Sequence, residues 1–177
     1  MRIETERLVL RPFAPDDLDA FATINADPAV MAHFLAPMTR AKTAELLARI
    51  AASVDRTGYG FAAVERRSDG ALIGMAGLSL FQAPLPWTPA TEIGWRLTPS
   101  AWGQGYATEA ARAWLAHGFG ALGLDRIVAF TTTTNAASEK VMQRLGMTRA
   151  TGMDFDHPAI PAGHQLSRHI VYTATPT

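Results

Sequence analysis

The sequence predicts an α/β fold built on a mixed, mostly antiparallel sheet of about seven strands with about four flanking helices. Three observations predict it. Residues 91 to 146 read strand–helix–strand–helix, and a parallel pair with a right-handed crossover is the usual result of that order. Ser68-Asp69-Gly70 separates two apolar runs and carries the Asp-Gly signal of a hairpin. The remaining strands follow one another with short connections, which favours antiparallel pairing.

The elements follow in order. Residues 3–11, with Ile3, Leu8, Val9 and Leu10, form a first strand that Pro12 ends. Ala14-Pro15-Asp16-Asp17 starts a helix, because Pro suits a first turn and acids suit the positive helix end. Leu18, Phe21, Ala22 and Asn25 continue it at helical spacing. Asp27-Pro28 breaks it, and a short helical piece runs through His33. Thr39 caps a longer helix with Ala44, Leu47, Ile50 and Val54 on one face, and Thr57-Gly58 stops it. Strands 59–66 and 71–81 flank the hairpin turn. Pro84, Pro86 and Pro89 make an irregular loop before the strand 91–98, which ends at Pro99. A helix from about Gly105 to Leu122 has Ala107, Ala110, Ala111, Trp114, Leu115 and Phe119 as its apolar face. After Gly123 comes the β-branched strand 127–134. Asn135 caps a last helix with Val141, Met142 and Leu145 inside and Gly146 at its C′ position. Residues 147–153 and 169–174 are the final strands.

With 177 residues and neither a repeat nor a linker, residues 1–177 read as one domain. The hydrophobic share of 48% and charged share of 18% are those of a globular chain, not a disordered one. Sixteen basic residues balance sixteen acidic ones without segregating, which argues against a nucleic-acid face. The absence of cysteine excludes disulfides, thiolate metal sites and a Cys nucleophile. No apolar leader and no membrane-length stretch is visible, so a cytoplasmic address is expected, with no membrane partner.

The segment with chemical character is Trp102-Gly103-Gln104-Gly105-Tyr106-Ala107-Thr108, between a strand end and a helix start. Its two glycines allow close backbone approach, and the helix offers unpaired N–H groups and a positive dipole end. A phosphate or pyrophosphate suits such a loop, although a tight strand–helix turn needs nothing more than the glycines. A dinucleotide fingerprint does not fit. The third glycine is missing, and Asp125 precedes its strand instead of ending it. A Walker loop needs Gly-Lys-Ser/Thr, which is absent.

Three spaced motifs carry a resemblance. Glu92-Ile93-Gly94-Trp95-Arg96-Leu97-Thr98-Pro99, then Trp102 to Ala110, then Asn135-Ala136-Ala137-Ser138 are similar to the GCN5-related N-acetyltransferases. Thr5-Glu6-Arg7-Leu8-Val9-Leu10-Arg11 and Leu145-Gly146-Met147 resemble more narrowly the branch of the ribosomal-protein N-terminal acetyltransferases. Trp102 departs from the pattern, since the family usually has Arg or Gln there, a departure the branch often tolerates. The resemblance implies acetyl-coenzyme A as co-substrate in a V-shaped split between strands 91–98 and 127–134, an amine acceptor that is a small molecule or a protein N-terminus, and dimerisation. The pantetheine arm is expected beside the backbone of Leu97 and Thr98. N–H groups from Gly103 to Thr108 would hold the pyrophosphate, and Asn135 and Ser138 would reach the arm and the sulfur.

Acetyl transfer needs a neutral amine, an oxyanion site and a proton for the leaving thiolate. A backbone N–H of strand 95–97, at a bulge, is the expected oxyanion donor. Glu92 is the first candidate for the base, acting through water, with pairing to Arg96 or exposure to solvent as the plainer alternatives. Alternation places Glu92, Gly94 and Arg96 on one face, and Ile93, Trp95 and Leu97 on the other. Ser138 is the candidate proton donor, or else only a first-turn residue, and Tyr172 is a second donor. Glu109 reads as a structural acid in a helix first turn. His33 and His117 read as satisfied helix residues. Asp154, Asp156, His157, His164 and His169 lack ligand spacing, so no metal is expected. Trp87 lines an acceptor pocket or anchors its loop. Acceptor specificity is assigned to residues 15–56, 82–90 and 154–166.

Overall fold

In the computed structural model, which describes residues 1–176, the central element is β5, Ala90–Leu97. It lies between β4, Leu72–Phe81, and β6, Ile127–Thr132. The sheet has nine strands in the order β1-β2-β3-β4-β5-β6-β9-β7, with β8 also on β9. All pairs are antiparallel except β5 with β6.

The two strands beyond the expected seven come from short breaks. The first run divides into β1, Ile3–Glu4, and β2, Leu8–Arg11, around a turn closed by Thr5 N–H to the Leu8 carbonyl (2.9 Å). Residues 147–153 hold only the two-residue β7, Thr148–Arg149, before a single 3₁₀ turn, and β8 is Phe155–Asp156. The hairpin turn is as expected: β3, Phe61–Arg66, leads to β4 with Gly70 at φ +69° and Asp69 accepting from Ala71 N–H. β9 is Arg168–Ala174.

Four helices flank the sheet: α1, Asp17–Ala26; α2, Arg40–Thr57; α3, Tyr106–Gly120; and α4, Ala136–Arg144. The caps follow the sequence signals. Thr39 accepts from Lys42 N–H, Asn135 accepts from Ser138 N–H, and Gly58 and Gly146 take left-handed φ. The expected helical piece before His33 is instead a set of turns, with Met31 N–H bonded to the Asp27 carbonyl. Asp27 and Pro28 interrupt the ladder, and no repeating i→i+4 bonds follow.

One sheet face packs on α3 and α4 through Ile93, Leu97, Ile127, Ala129, Trp114 and Tyr172. The other carries α1 and α2 through Phe21, Ile24, Ile50 and Met75. Beside it an aromatic cluster of Phe81, Trp87, Phe130 and Phe155 gathers around Val128 and Val171. β5 therefore has one face toward each helix layer, which fixes what its alternating side chains meet.

Candidate functional site

β5 and β6 share a single bridge, Glu92 with Val128. Beyond it the two strands part. Thr98 N–H donates to the Ile73 carbonyl (2.9 Å), which sets the ladder phase: the peptide groups of Glu92, Gly94, Arg96 and Thr98 point to β4. Those of Trp95 and Leu97 consequently point into the split without a strand partner. β5 runs in unbroken register, so its N–H groups reach the split without the expected bulge; the register shift lies instead between β3 and β4, where Ile73 is the extra residue opposite Val64/Glu65.

At the open end of the split stands the glycine loop. Gly103 and Gly105 have φ of +73° and +83°, a region in which a Cβ is strained. That backbone leaves the six N–H groups from Gly103 to Thr108 without a protein acceptor among the described residues. Six such donors in the loop and first turn of a fifteen-residue helix, at its positive end, suit a pyrophosphate. Gln104 ties the loop to itself through Nε2 to the Ser100 carbonyl (2.7 Å), and Tyr106 and Thr108 are buried beneath it.

The N-terminal segment buttresses this loop. Glu109 accepts from Thr5 Oγ1 (2.6 Å), Arg7 N–H (2.9 Å) and Arg7 Nε (2.6 Å). Arg7 then donates Nη1 to the Gln104 carbonyl (2.9 Å) and lies 4.6 Å over the Tyr106 ring. Burial would raise the Glu109 carboxyl, but the hydrogen bonds from Thr5 and Arg7 outweigh it and hold it below its ordinary value. Glu109 is thus the expected structural acid, with partners that sequence reading did not find.

Trp102 has a defined part. Its Nε1 donates to the Leu97 carbonyl (2.8 Å), while the ring stays 48% exposed. The Leu97 carbonyl and the Thr98 N–H, both expected beside pantetheine, are therefore engaged within the protein, and the Trp95 and Leu97 N–H groups face the split.

At the apex the side chain of Glu92 makes no hydrogen bond or ion pair among the described residues. Burial pushes its carboxyl up to about 7. Its expected partner Arg96 is engaged elsewhere, donating Nη1 to Asn25 Oδ1 (2.6 Å). On the far side, Asn135 bonds Thr131 through Nδ2 (2.9 Å) and caps α4, and Ser138 stands half-buried in its first turn with no protein partner for its hydroxyl. The Tyr172 hydroxyl donates to Glu139 Oε1 (2.8 Å); burial and that bond raise it.

The remaining candidates hold loops. Asp154 pairs with Arg149 and Asp156 lies 3.7 Å from Arg168. His157 and His164 accept from Ala159 and Leu166 N–H groups, and His169 bonds the Ser167 carbonyl. No three of the described Asp, Glu and His residues cluster as a metal site. Trp87 donates Nε1 to the Met153 carbonyl (3.1 Å) and packs on Phe81 and Phe155, so it anchors the proline loop. His33 Nδ1 lies 3.4 Å from Thr132 Oγ1, in a turn and not in a helix.

The family model for the acetyltransferase (GNAT) domain matches residues 7–148, from the Arg7 buttress to the first residue of β7. The chain belongs to the GNAT acetyltransferases. It is 32% identical over 149 residues to the N-acetyltransferase YoaA of Bacillus subtilis, covering 83% of this chain and 82% of that one. It is 34% identical over 161 residues to the FsC-acetyl coenzyme A-N(2)-transacetylase of Aspergillus fumigatus, covering 82% of this chain and 64% of that longer one. Among solved structures, a GNAT-family acetyltransferase from Bacillus anthracis superposes with a TM-score of 0.81 at 27% identity, covering 99% of this chain and 98% of that one. RimL, the ribosomal L7/L12 alpha-N-protein acetyltransferase solved with coenzyme A, shares the fold with a TM-score of 0.80 at 18% identity, covering 99% and 98%. The GNAT chain described here is an enzyme that moves an acetyl group from acetyl-coenzyme A to an amine. None of its described helices is long and apolar enough to cross a membrane.

Proposed function

We propose that residues 1–177 act as one N-acetyltransferase unit in which a primary amine attacks acetyl-coenzyme A directly in a ternary complex, with Glu92 as general base. The observation that carries this is the carboxyl of Glu92: unpaired, beside the point where β5 and β6 part, and raised to about 7. A carboxylate with that affinity takes the ammonium proton, directly or through one water, near neutral pH. The amine nitrogen then bonds the thioester carbon, the C–S bond breaks, and the thiolate takes a proton from Ser138, whose oxygen is reprotonated by the second proton that the nitrogen loses as the amide forms. The free hydroxyl of Ser138 supports that role, whereas the Tyr172 proton is committed to Glu139.

In this reading the N–H groups of Trp95 and Leu97 receive the charge that develops on the carbonyl oxygen. Those from Gly103 to Thr108 fix the pyrophosphate. Positioning of amine against thioester supplies several kcal/mol of the rate gain, on the order of 7–11 in favourable cases. The acceptor is a small molecule or a protein N-terminus. A cytoplasmic setting, consistent with a chain without cysteine, is part of the proposal.

Glu92→Gln tests the assignment. Thiol release with a broad amine panel should fall by about 10²-fold or more, while coenzyme A affinity measured by calorimetry stays within about twofold. Retained turnover in the variant refutes Glu92 as base.

A further inference from the structure

The α1–α2 face of β5 carries Glu92, Gly94 and Arg96 in line, and each has a distinct surrounding. Arg96 is 8% exposed and its Nε is sealed off without a hydrogen-bond partner. Nη1 reaches only the neutral Asn25 Oδ1, with the Met38 sulfur at 3.9 Å. Nη2 makes no hydrogen bond and is not among the sealed atoms, so it keeps the guanidinium's contact with solvent. No carboxylate lies within ion-pair distance of Arg96 among the described residues. The Phe34 ring sits 4.4 Å from its guanidinium carbon and is itself 44% exposed.

A buried cation without a counter-ion is costly, and proteins pair such groups or bring them a ligand. Glu92 would be the counter-ion by sequence, two positions away on the same face. It is kept apart by Phe61, whose ring edge lies over Gly94, within 3.1 Å of where a Cβ would stand. Strand geometry spaces residues 92 and 96 by about 13 Å between Cα atoms, a gap that both long side chains narrow. The floor therefore reads acid, aromatic edge, cation.

We infer that Arg96 receives a carboxylate of the acceptor, so that the substrate class is a small amine joined to a carboxylate through a hydrocarbon spacer. The spacer lies across the Phe61 edge, the amine end reaches Glu92, and the carboxylate meets Nη2. This rests on the assignment of Glu92 above and adds the polarity of the acceptor's other end. Arg96 binds and orients; it moves no proton. A guanidinium suits this better than an ammonium because its planar fork matches a carboxylate and is more weakly hydrated.

The test uses ω-amino acids from glycine to 6-aminohexanoate, each beside its methyl amide, with thiol release as the readout. For the best-fitting length the wild type should favour the free acid by tenfold or more in kcat/KM. Arg96→Met should remove that preference by lowering the acid's rate and leaving the amide's within about twofold. Arg96→Lys, which keeps the charge, should restore part of it and guards against a variant that misfolds. Equal use of acid and amide by the wild type overturns the inference, as does an Arg96→Met that slows both alike. Those outcomes leave Glu92 standing, because the amides still turn over. Absence of turnover with every member, while another amine of the broad panel is acetylated in a Glu92-dependent way, overturns the inference and leaves Glu92 standing.

Discussion

The two faces of β5 are built on opposite principles. Toward α3, the site is a set of backbone N–H groups held by a closed network in which Arg7, Glu109, Tyr106 and Gln104 all have partners. Toward α1, two ionisable side chains, Glu92 and Arg96, lie without a counter-charge. Burial lowers Arg96 to about 10 just as it raises Glu92 to about 7. In the proposed reading the satisfied side holds the co-substrate that all reactions share, and the unsatisfied side is left for the molecule that changes and for the proton that moves. Binding and chemistry should therefore respond to different mutations.

The largest separation is expected between Glu92→Gln, which lowers kcat, and Gly105→Ala, which should do the reverse. A Cβ at φ +83° costs about 1–2 kcal/mol, which a free loop sheds by turning out of that region and incurs again on binding, so coenzyme A affinity should weaken by up to roughly 5- to 30-fold by calorimetry, with kcat at saturation nearly unchanged. A fall in kcat alone would break the division.

Next in size is Glu109→Gln, which keeps one accepting oxygen but removes the charge and sets an amide NH2 donor against the Arg7 guanidinium. A loss of about 1–2 kcal/mol is expected in denaturant melts at pH 7, with weaker coenzyme A binding as the loop loosens. The Glu109 carboxyl is held below its ordinary value, so its contribution is complete above the unfolded value near 4.5 and is lost as pH falls through the folded one. The wild-type advantage over Glu109→Gln should shrink as pH falls below about 4.5.

Glu92 has the opposite sign. Its folded value is raised, so the folded protein binds more protons than the unfolded chain between about 4.5 and 7. Stability is lost over that interval as pH rises. Glu92→Gln should melt higher than wild type at pH 8 and equal to it at pH 4, while wild-type kcat/KM climbs through about 7 as the base ionises. The smallest effect belongs to Trp102→Phe, which keeps a ring and loses the bond to the Leu97 carbonyl. About 0.5–1.5 kcal/mol, or a few-fold in KM for acetyl-coenzyme A, is expected.

The same division explains what could be read from sequence. The loop, the Asn135 cap, the Asp69-Gly70 hairpin and Gly146 are local: each rests on a few consecutive residues with strong backbone preferences. The face on which Glu92 stands was legible because alternation on an eight-residue strand is reliable. The Arg7–Glu109 clamp joins residues 102 apart and the Arg96–Asn25 bond joins residues 71 apart, and no local pattern encodes either. The Glu92–Arg96 pairing considered from spacing is absent because Phe61 fills the trough over Gly94. β7 and β8 have two residues each, too few to show a period. Trp102 broke the family pattern at the one position where an indole N–H finds a strand carbonyl.

That indole has a consequence for how the protein keeps to itself. Unpaired strand edges are templates on which other chains add strands, and proteins guard those at their rims. Here an edge is opened in the interior of a sheet, between β5 and β6 and beneath α3 and α4. Its apex is closed by the Glu92–Val128 bridge and its mouth by Trp102 on the Leu97 carbonyl. A foreign strand would need a longer open run than these two stops leave. A thin, flexible arm such as the proposed pantetheine needs only the few peptide groups between them, so in this reading one closure both admits the guest and turns a foreign strand away.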